Sequence, residues 1–144
     1  MNGNTTADLW MFFIANFVNL LITAIFIFRV NGNEKTEYIL GLIVIAMVLP
    51  ILGFVIQNIL QQRIIWSIVL PIPLILYCLT ELLFDYILKL EFRNTWLLWP
   101  YVVIFYAGLW GMIGYSFLMG KIYGFITLGT YFINLFATWY AHSR

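Results

Sequence analysis

Charged residues are scarce in this chain. Only 9% of its 144 residues are Asp, Glu, Lys or Arg, whereas 64% are hydrophobic and the mean hydropathy is +0.98. Soluble domains carry about 25% charged residues, so this composition excludes an ordinary soluble domain and predicts an integral membrane protein surrounded by the lipid bilayer. The formal net charge of +1 provides no positive field for phosphates, and we therefore expect no nucleic acid partner.

Cysteine, histidine and catalytic motifs are equally sparse. Cys78 is the single cysteine and His142 the single histidine, which excludes an intrachain disulfide and a metal site built from these two residue types. The sequence also contains no glycine-rich phosphate loop and no catalytic motif. We therefore expect no cofactor, no metal site and no catalytic residue, and the sequence does not favour an enzyme.

The first seven residues contain no Lys or Arg, although a signal peptide begins with a basic region. The apolar run that follows them is longer than the roughly 7–15 residues of a signal peptide's hydrophobic region. This pattern favours a retained membrane helix.

Five apolar segments are long enough to cross a bilayer core, which takes about 20 helical residues. Polar backbone groups in lipid need hydrogen bonds within their own segment, and the alternating strands of a barrel are missing, so each segment is predicted to be a helix. Short links force neighbouring helices to lie antiparallel. The prediction is an all-α integral membrane protein, a single transmembrane domain over residues 1–144, with five antiparallel helices at about 8–30, 37–60, 63–90, 95–119 and 121–141.

Basic residues are divided unevenly between the two ends of this predicted bundle. One end contains two of them, Arg63 and Lys121, and the other contains five. Lys and Arg accumulate in cytoplasmic loops. We therefore predict a multi-pass topology with the N-terminus outside and the C-terminus in the cytoplasm. The other, cytoplasmic end contains the five remaining basic residues, Arg29, Lys35, Lys89, Arg93 and Arg144.

Four charged residues recur at four-residue spacing near the end of the third segment: Glu81, Asp85, Lys89 and Arg93. On a continuous helix an acid four residues before a base stabilises the helix by about 0.2–0.5 kcal/mol, so we expect an Asp85–Lys89 pair at a solvated helix end. Glu81 lies deeper, where a charged group costs on the order of 2.5–3.5 kcal/mol at mid-bilayer. It is predicted to face the bundle interior, either in a ligand site or against a neighbouring helix.

Polar side chains on two other segments share a face at helical spacing. Such stripes either line a polar cavity or join helices through hydrogen bonds of about 0.6 kcal/mol each, and the sequence leaves both alternatives open. The candidate ligand-binding residues are Glu81, Tyr77, Asn134, Asn16, Asn19 and Thr138.

Prolines and glycines mark irregular and closely packed positions. Pro50 and the Pro71–Pro73 pair remove backbone donors and predict breaks in the second and third helices. Gly108, Gly111 and Gly114 on the fourth helix, and a G-x-x-x-G at the start of the fifth, predict close helix packing within the chain or, alternatively, a homo-oligomer contact.

The favoured function is the binding or transport of a small, mostly apolar molecule, such as a hydrophobic ligand or a lipid, in an intramembrane cavity. The alternative is a structural or assembly subunit of a membrane complex, whose polar stripes join helices. A third alternative is an intramembrane acid–base enzyme that uses Glu81 and Asp85, although no nucleophile, metal or cofactor motif supports it.

Overall fold

The computed structural model describes residues 3–144, and this part of the chain consists of helices and turns without a strand. Its helices, with the π-helix and the 3₁₀ turn named separately, are α1 (Thr6–Val30), α2 (Glu34–Ala46), α3 (Val48–Leu60), α4 (Trp66–Val69), α5 (Ile72–Glu81), the π-helix Leu82–Ile87, the 3₁₀ turn Phe92–Asn94, α6 (Leu98–Met119) and α7 (Lys121–His142).

These helices form five rods. The second rod joins α2 to α3, and the third joins α4, α5 and the π-helix, whereas α1, α6 and α7 are each one rod. Around the bundle the rods follow the order α1, α7, α6, α5 and α2–α3. Rods that are consecutive in the chain run antiparallel, whereas α1 and α7 run parallel, since Asn16 bonds to Thr127 and Asn19 to Thr130. The predicted all-α bundle is therefore confirmed, and it has two ends that we call the Asp8 end, where α1 begins, and the Glu81 end, where α5 finishes.

Four of the described rods are long and apolar enough to cross a membrane: residues Thr6–Val30, Glu34–Leu60, Trp66–Ile87 and Leu98–Met119. The fifth rod, α7, has the same 22 residues as α6. Helix α7 is less apolar, because it carries the polar stripe that includes Asn134 and Thr138, and it is not among these four.

Side-chain caps set where the first two rods begin. The hydroxyl of Thr5 accepts a hydrogen bond from the amide of Asp8, and the Asp8 carboxylate accepts one from the amide of Thr5, which forms a capping box. Asn33 caps α2 by accepting a hydrogen bond from the amide of Thr36. Helices α1 and α2 therefore begin at residues 6 and 34, a few residues before the starts expected from hydropathy.

Proline interrupts two rods at the predicted places. The second rod breaks at Met47, one turn before Pro50, and the third breaks between α4 and α5 at Pro71. Pro71 has no N–H, so the carbonyl of Ser67 four residues earlier lacks its helical donor. The side-chain amide of Asn58 donates to that carbonyl at 3.2 Å instead.

Glycines on α6 allow the third and fourth rods to approach closely. A Cβ at Gly108 would lie 3.0 Å from the Cα of Leu74, and one at Gly111 would overlap the carbonyl oxygen of Leu70. The packing role predicted for these glycines is confirmed, and their neighbours belong to the same chain.

Apolar side chains cover the outside of the bundle as well as its core. Tyr115 and Leu74 are buried at the centre, yet Phe13, Leu49 and Phe136 are each more than half exposed on the outside. A large exposed apolar surface marks a contact with a membrane or with another protein.

Candidate ligand cavity

A cavity of about 640 Å³ opens between α1, α5, α6 and α7 at the Glu81 end. Small-molecule sites in proteins usually measure about 300–1,000 Å³ and are mostly apolar with a few polar groups, and this cavity fits that description. Its walls are formed by Ile22, Ile25, Phe26, Arg29, Tyr77, Glu81, Arg93, Leu98, Tyr101, Val102, Phe105, Tyr106, Leu135, Thr138, Trp139 and His142.

Glu81 is the carboxylate in the wall of this cavity. Helix α5 places Tyr77 one turn before it, and α6 places Tyr101 opposite it, so that the Tyr101 hydroxyl donates to Oε2 of Glu81 at 2.5 Å. The ring of Tyr77 packs edge-on against Phe105, with ring centres 5.1 Å apart. Aromatic rings therefore surround the carboxylate on the side of the cavity.

A second, smaller cavity of about 240 Å³ lies on the other side of Glu81. It shares Ile25, Arg29, Glu81 and Arg93 with the larger one. Its remaining wall is more polar than that of the larger cavity and consists of Glu34, Glu37, Tyr38, Gly41, Asp85 and Tyr86. Glu81 thus stands at the boundary between an aromatic chamber and an acidic one.

Both arginines at this boundary are already paired with carboxylates. Arg93 binds Asp85 through two hydrogen bonds, of 3.2 Å from Nη1 and 2.8 Å from Nη2, and Arg29 binds Glu37 at 2.7 Å. Although burial lowers the pKa of Arg93, its hydrogen bonds to Asp85 and the charge of Asp85 outweigh that effect and raise its pKa above the ordinary value. Arg93 therefore stays a cation.

The predicted pair between Asp85 and Lys89 is wrong. The rod does not continue as a regular helix to Leu90: residues 82–87 form a π-helix, and Lys89 adopts a left-handed backbone conformation with φ of 49°. The changed helical repeat takes Lys89 off the face of Asp85, and the chain turns back so that Arg93 reaches the carboxylate. π-Helical turns occur frequently at functional sites, and this one directly follows Glu81.

The structure separates the candidate ligand-binding residues into two groups. Glu81, Tyr77 and Thr138 lie in the cavity wall. Asn16 instead donates to the hydroxyl of Thr127 at 3.1 Å, and Asn19 to that of Thr130 at 3.0 Å. These two asparagines therefore join α1 to α7.

Asn134 has a different position from the other two asparagines. It is 1% exposed and its Oδ1 accepts a hydrogen bond from the hydroxyl of Thr138 at 3.3 Å. Its Nδ2 has no hydrogen-bond partner among residues 3–144. Asn134 thus lies beneath the cavity wall that Thr138 helps to form.

A polar cluster at the Asp8 end was not predicted. The Asp8 side chain is fully buried, and Nη1 of Arg63 lies 2.9 Å from both of its carboxylate oxygens. The Tyr115 hydroxyl donates to Oδ1 of Asp8 at 2.7 Å, and Asn58 donates to Tyr115 at 3.2 Å. The cluster therefore links α1, α3, α6 and the turn after α3.

One signal in the sequence could have revealed part of this cluster. Asp8, Arg63 and Lys121 are the three charged side chains at that end of the predicted topology, and Asp8 is the single acid among them. A buried acid needs a cation, which leaves Arg63 and Lys121 as candidates. The contribution of Tyr115 and Asn58 follows only from how the helices rotate against each other.

Within residues 3–144 no group of three or more His, Cys, Asp or Glu residues is placed to hold a metal ion. No protein-family model matches the chain, and neither a curated protein nor a solved structure matches it. The chemistry open to this site follows from the geometry of the cavity: an apolar, aromatic chamber with one carboxylate can hold a molecule with an apolar body and one polar group.

Proposed function

We propose that this chain is a membrane protein with five transmembrane helices that binds or transports a small, mostly apolar molecule in the aromatic cavity. The observation that carries the proposal is the cavity of about 640 Å³ with Glu81 in its wall. The apolar body of the ligand would lie against Tyr77, Phe105 and their neighbours, and Glu81 would orient its polar group.

The proposed bilayer position is supported by the distribution of exposed tryptophans. Five of the six tryptophans lie toward the two ends of the bundle, and each of the five is more than half exposed. Trp10 and Trp66 lie toward the Asp8 end, whereas Trp110 is exposed near the middle of α6. Tryptophan is enriched at the two membrane–water interfaces. The tryptophans toward the Glu81 end are Trp96, Trp99 and Trp139.

The proposed orientation places the Glu81 end in the cytoplasm, because that end contains five of the seven basic residues. A reporter that is active only in the cytoplasm should give signal when fused after Arg144 and none when fused at the N-terminus. Signal from both fusions would indicate an even number of spans, and the reverse pattern would overturn the orientation.

Ligand binding can be tested with tritiated 1-naphthylmethanol, a neutral molecule with an aromatic body and one hydroxyl group. Scintillation proximity on protein in lipid nanodiscs should show saturable binding that unlabelled compound displaces and that empty nanodiscs lack. Val102 lines the cavity, so Val102→Trp should fill it and abolish the saturable signal.

Val103 provides the matched control. It is the next residue on α6, and it is 64% exposed on the outside of the bundle. Val103→Trp should therefore bind the probe like the unchanged protein. Equal binding by both tryptophan variants would place the probe outside the cavity and contradict the proposed site.

A structural or assembly subunit remains the second candidate, and the Asn16–Thr127 and Asn19–Thr130 hydrogen bonds support it. Those bonds join helices of the same chain, however, so they account for internal packing and leave the cavity unexplained. A bundle that needs no ligand would bind none of the probe in a saturable way.

A further inference from the structure

At the boundary between the two cavities, both arginines form ion pairs with carboxylates, but Glu81 forms none in the described structure. Among residues 3–144 the salt bridges at this end join Arg93 to Asp85 and Arg29 to Glu37, and none joins Glu81 to a cation. The neutral hydroxyl of Tyr101 is the one hydrogen-bond donor to Glu81 in the described structure. Glu81 is therefore the acidic group at this boundary for which the described structure supplies no counter-ion.

The walls of the two cavities taken together are acidic. The larger cavity by itself is lined by one carboxylate and two guanidinium groups, and both guanidinium groups are paired with carboxylates of the smaller cavity. The two cavities together are lined by four carboxylates, those of Glu34, Glu37, Glu81 and Asp85, and by the guanidinium groups of Arg29 and Arg93, which gives a formal net charge of −2. His142 is the other basic group in the larger cavity, and its Nδ1 is occupied by the carbonyl of Thr138 at 2.8 Å. A ligand with a carboxylate or phosphate would meet net repulsion here, whereas a cation would be attracted.

The aromatic side chains beside Glu81 favour the same kind of ligand. Tyr77 and Tyr101 lie with ring centres 5.8 Å apart, and Tyr77 and Phe105 lie 5.1 Å apart. The faces of aromatic rings attract ammonium groups, and this attraction increases when water is excluded. A carboxyl group next to aromatic rings therefore provides the two kinds of contact that bind an organic ammonium ion.

We infer that the ligand of the aromatic cavity is an amphiphilic amine, whose protonated nitrogen binds the free oxygen of Glu81 while its apolar body occupies the chamber. This inference rests on the proposed function, since it specifies the polar group of the molecule bound there. The acidic cavity on the other side of Glu81 gives the ammonium group a favourable approach from the Glu81 end of the bundle.

The experiment compares three competitors with one ring system: 1-naphthylmethylamine, 1-naphthylmethanol and 1-naphthoate. Each displaces the tritiated alcohol from protein in nanodiscs of zwitterionic lipid, so that the bilayer does not select a charge. The ammonium group adds a charge–charge attraction to the hydrogen bond that the alcohol also makes, so the amine should displace the probe at a concentration about ten-fold or more below that of the alcohol. The carboxylate should be the weakest competitor.

Two variants test whether Glu81 causes this preference. Glu81→Gln keeps the shape of the side chain and removes its charge, so the amine should lose its advantage over the alcohol. Asp85→Asn leaves Arg93 without its counter-ion at the cavity wall, so the amine should weaken and the carboxylate should gain. A thermal melt of each variant in the same nanodiscs confirms that the fold survives.

The outcomes separate the two hypotheses. If none of the naphthyl compounds, including the amine in labelled form, binds in a saturable way, the proposed function fails and the inference fails with it. If the compounds bind but the alcohol or carboxylate equals the amine, or if Glu81→Gln leaves the preference unchanged, the cavity remains a binding site and the amine inference alone is overturned.

Discussion

Each end of the bundle contains an inward-facing carboxylate, and the two carboxylates differ in how many partners the protein gives them. Asp8 is fully buried, and it is surrounded by Arg63, Tyr115 and the amide of its own helix cap. Glu81 accepts one hydrogen bond from Tyr101 and otherwise faces two cavities. A carboxylate with every partner supplied by the protein stabilises a fold, whereas one that keeps a free oxygen at a cavity wall is the group that our proposal assigns to a ligand.

The largest expected effect is that of Asp8→Asn. The change keeps the shape of the side chain but leaves the Arg63 guanidinium, whose side chain is 11% exposed, without its counter-ion. Removing one partner of a buried ion pair typically costs about 3–5 kcal/mol. The measurement is the free energy of unfolding in mixed micelles with increasing sodium dodecyl sulfate, followed by tryptophan fluorescence.

Lys121→Ala is the control for that variant, because Lys121 is an exposed cation at the same end. It should change the unfolding free energy by no more than about 0.5 kcal/mol. If Asp8→Asn were as mild as Lys121→Ala, the buried cluster would not hold the Asp8 end together.

Removing the tyrosine hydroxyl that donates to the carboxylate should lower the unfolding free energy by different amounts at the two ends. Tyr115→Phe removes the donor to the buried Asp8 carboxylate, and an unsatisfied buried group costs about 1–3 kcal/mol. Tyr101→Phe removes the donor to Glu81, which faces a cavity, so we expect about 0.5–1.5 kcal/mol. The same unfolding titration measures both, and a larger loss for Tyr101→Phe would reverse the contrast between the ends.

Glu81→Gln should have a smaller effect on stability than the equivalent change at Asp8. No ion pair is broken within the described structure, and the new amide oxygen still accepts the hydrogen bond from Tyr101. We expect a change in unfolding free energy below about 1 kcal/mol, the net contribution of one ordinary hydrogen bond. A loss comparable to that of Asp8→Asn would mean that Glu81 has a structural role.

The smallest effects should come from the charged residues beyond Glu81. Arg93 and Asp85 are partly exposed, at 45% and 22% of their side-chain surface, and such pairs contribute about 0–1 kcal/mol. Asp85→Ala should therefore cost at most about 1 kcal/mol, and high salt should reduce that difference by screening the pair. Lys89→Ala should have no salt-dependent effect, and equal effects of the two variants would contradict the observed pairing.

Sequence reasoning was most successful where a single segment contained the whole signal. Apolar length predicted the helical rods, and Pro50 and Pro71 predicted the breaks, because a missing N–H acts on residues close in the chain. It failed at Lys89, because a π-helix changes the repeat on which four-residue spacing depends. The charge pattern alone contains no information about that change.

The candidate site was predictable only in part for a related reason. Glu81 and Tyr77 share one helix face, so their neighbourhood follows from the sequence. Whether Asn16 lines a cavity or binds Thr127 depends on a contact between residues 111 positions apart. The rotation of α1 against α7 decides between those alternatives, and hydropathy does not fix that rotation.

The hydrogen bond from Asn58 to the carbonyl of Ser67 has a consequence for how this sequence can change over time. Asn58 supplies the donor that Pro71 lacks, so the value of each residue depends on the other, although they belong to different rods. Replacing Pro71 with a residue that has an N–H would make part of the role of Asn58 redundant. Losing Asn58 first would instead leave the Ser67 carbonyl without a hydrogen-bond donor. Substitutions at the two positions are therefore expected to be epistatic, and the order in which they arise decides whether the intermediate is tolerated.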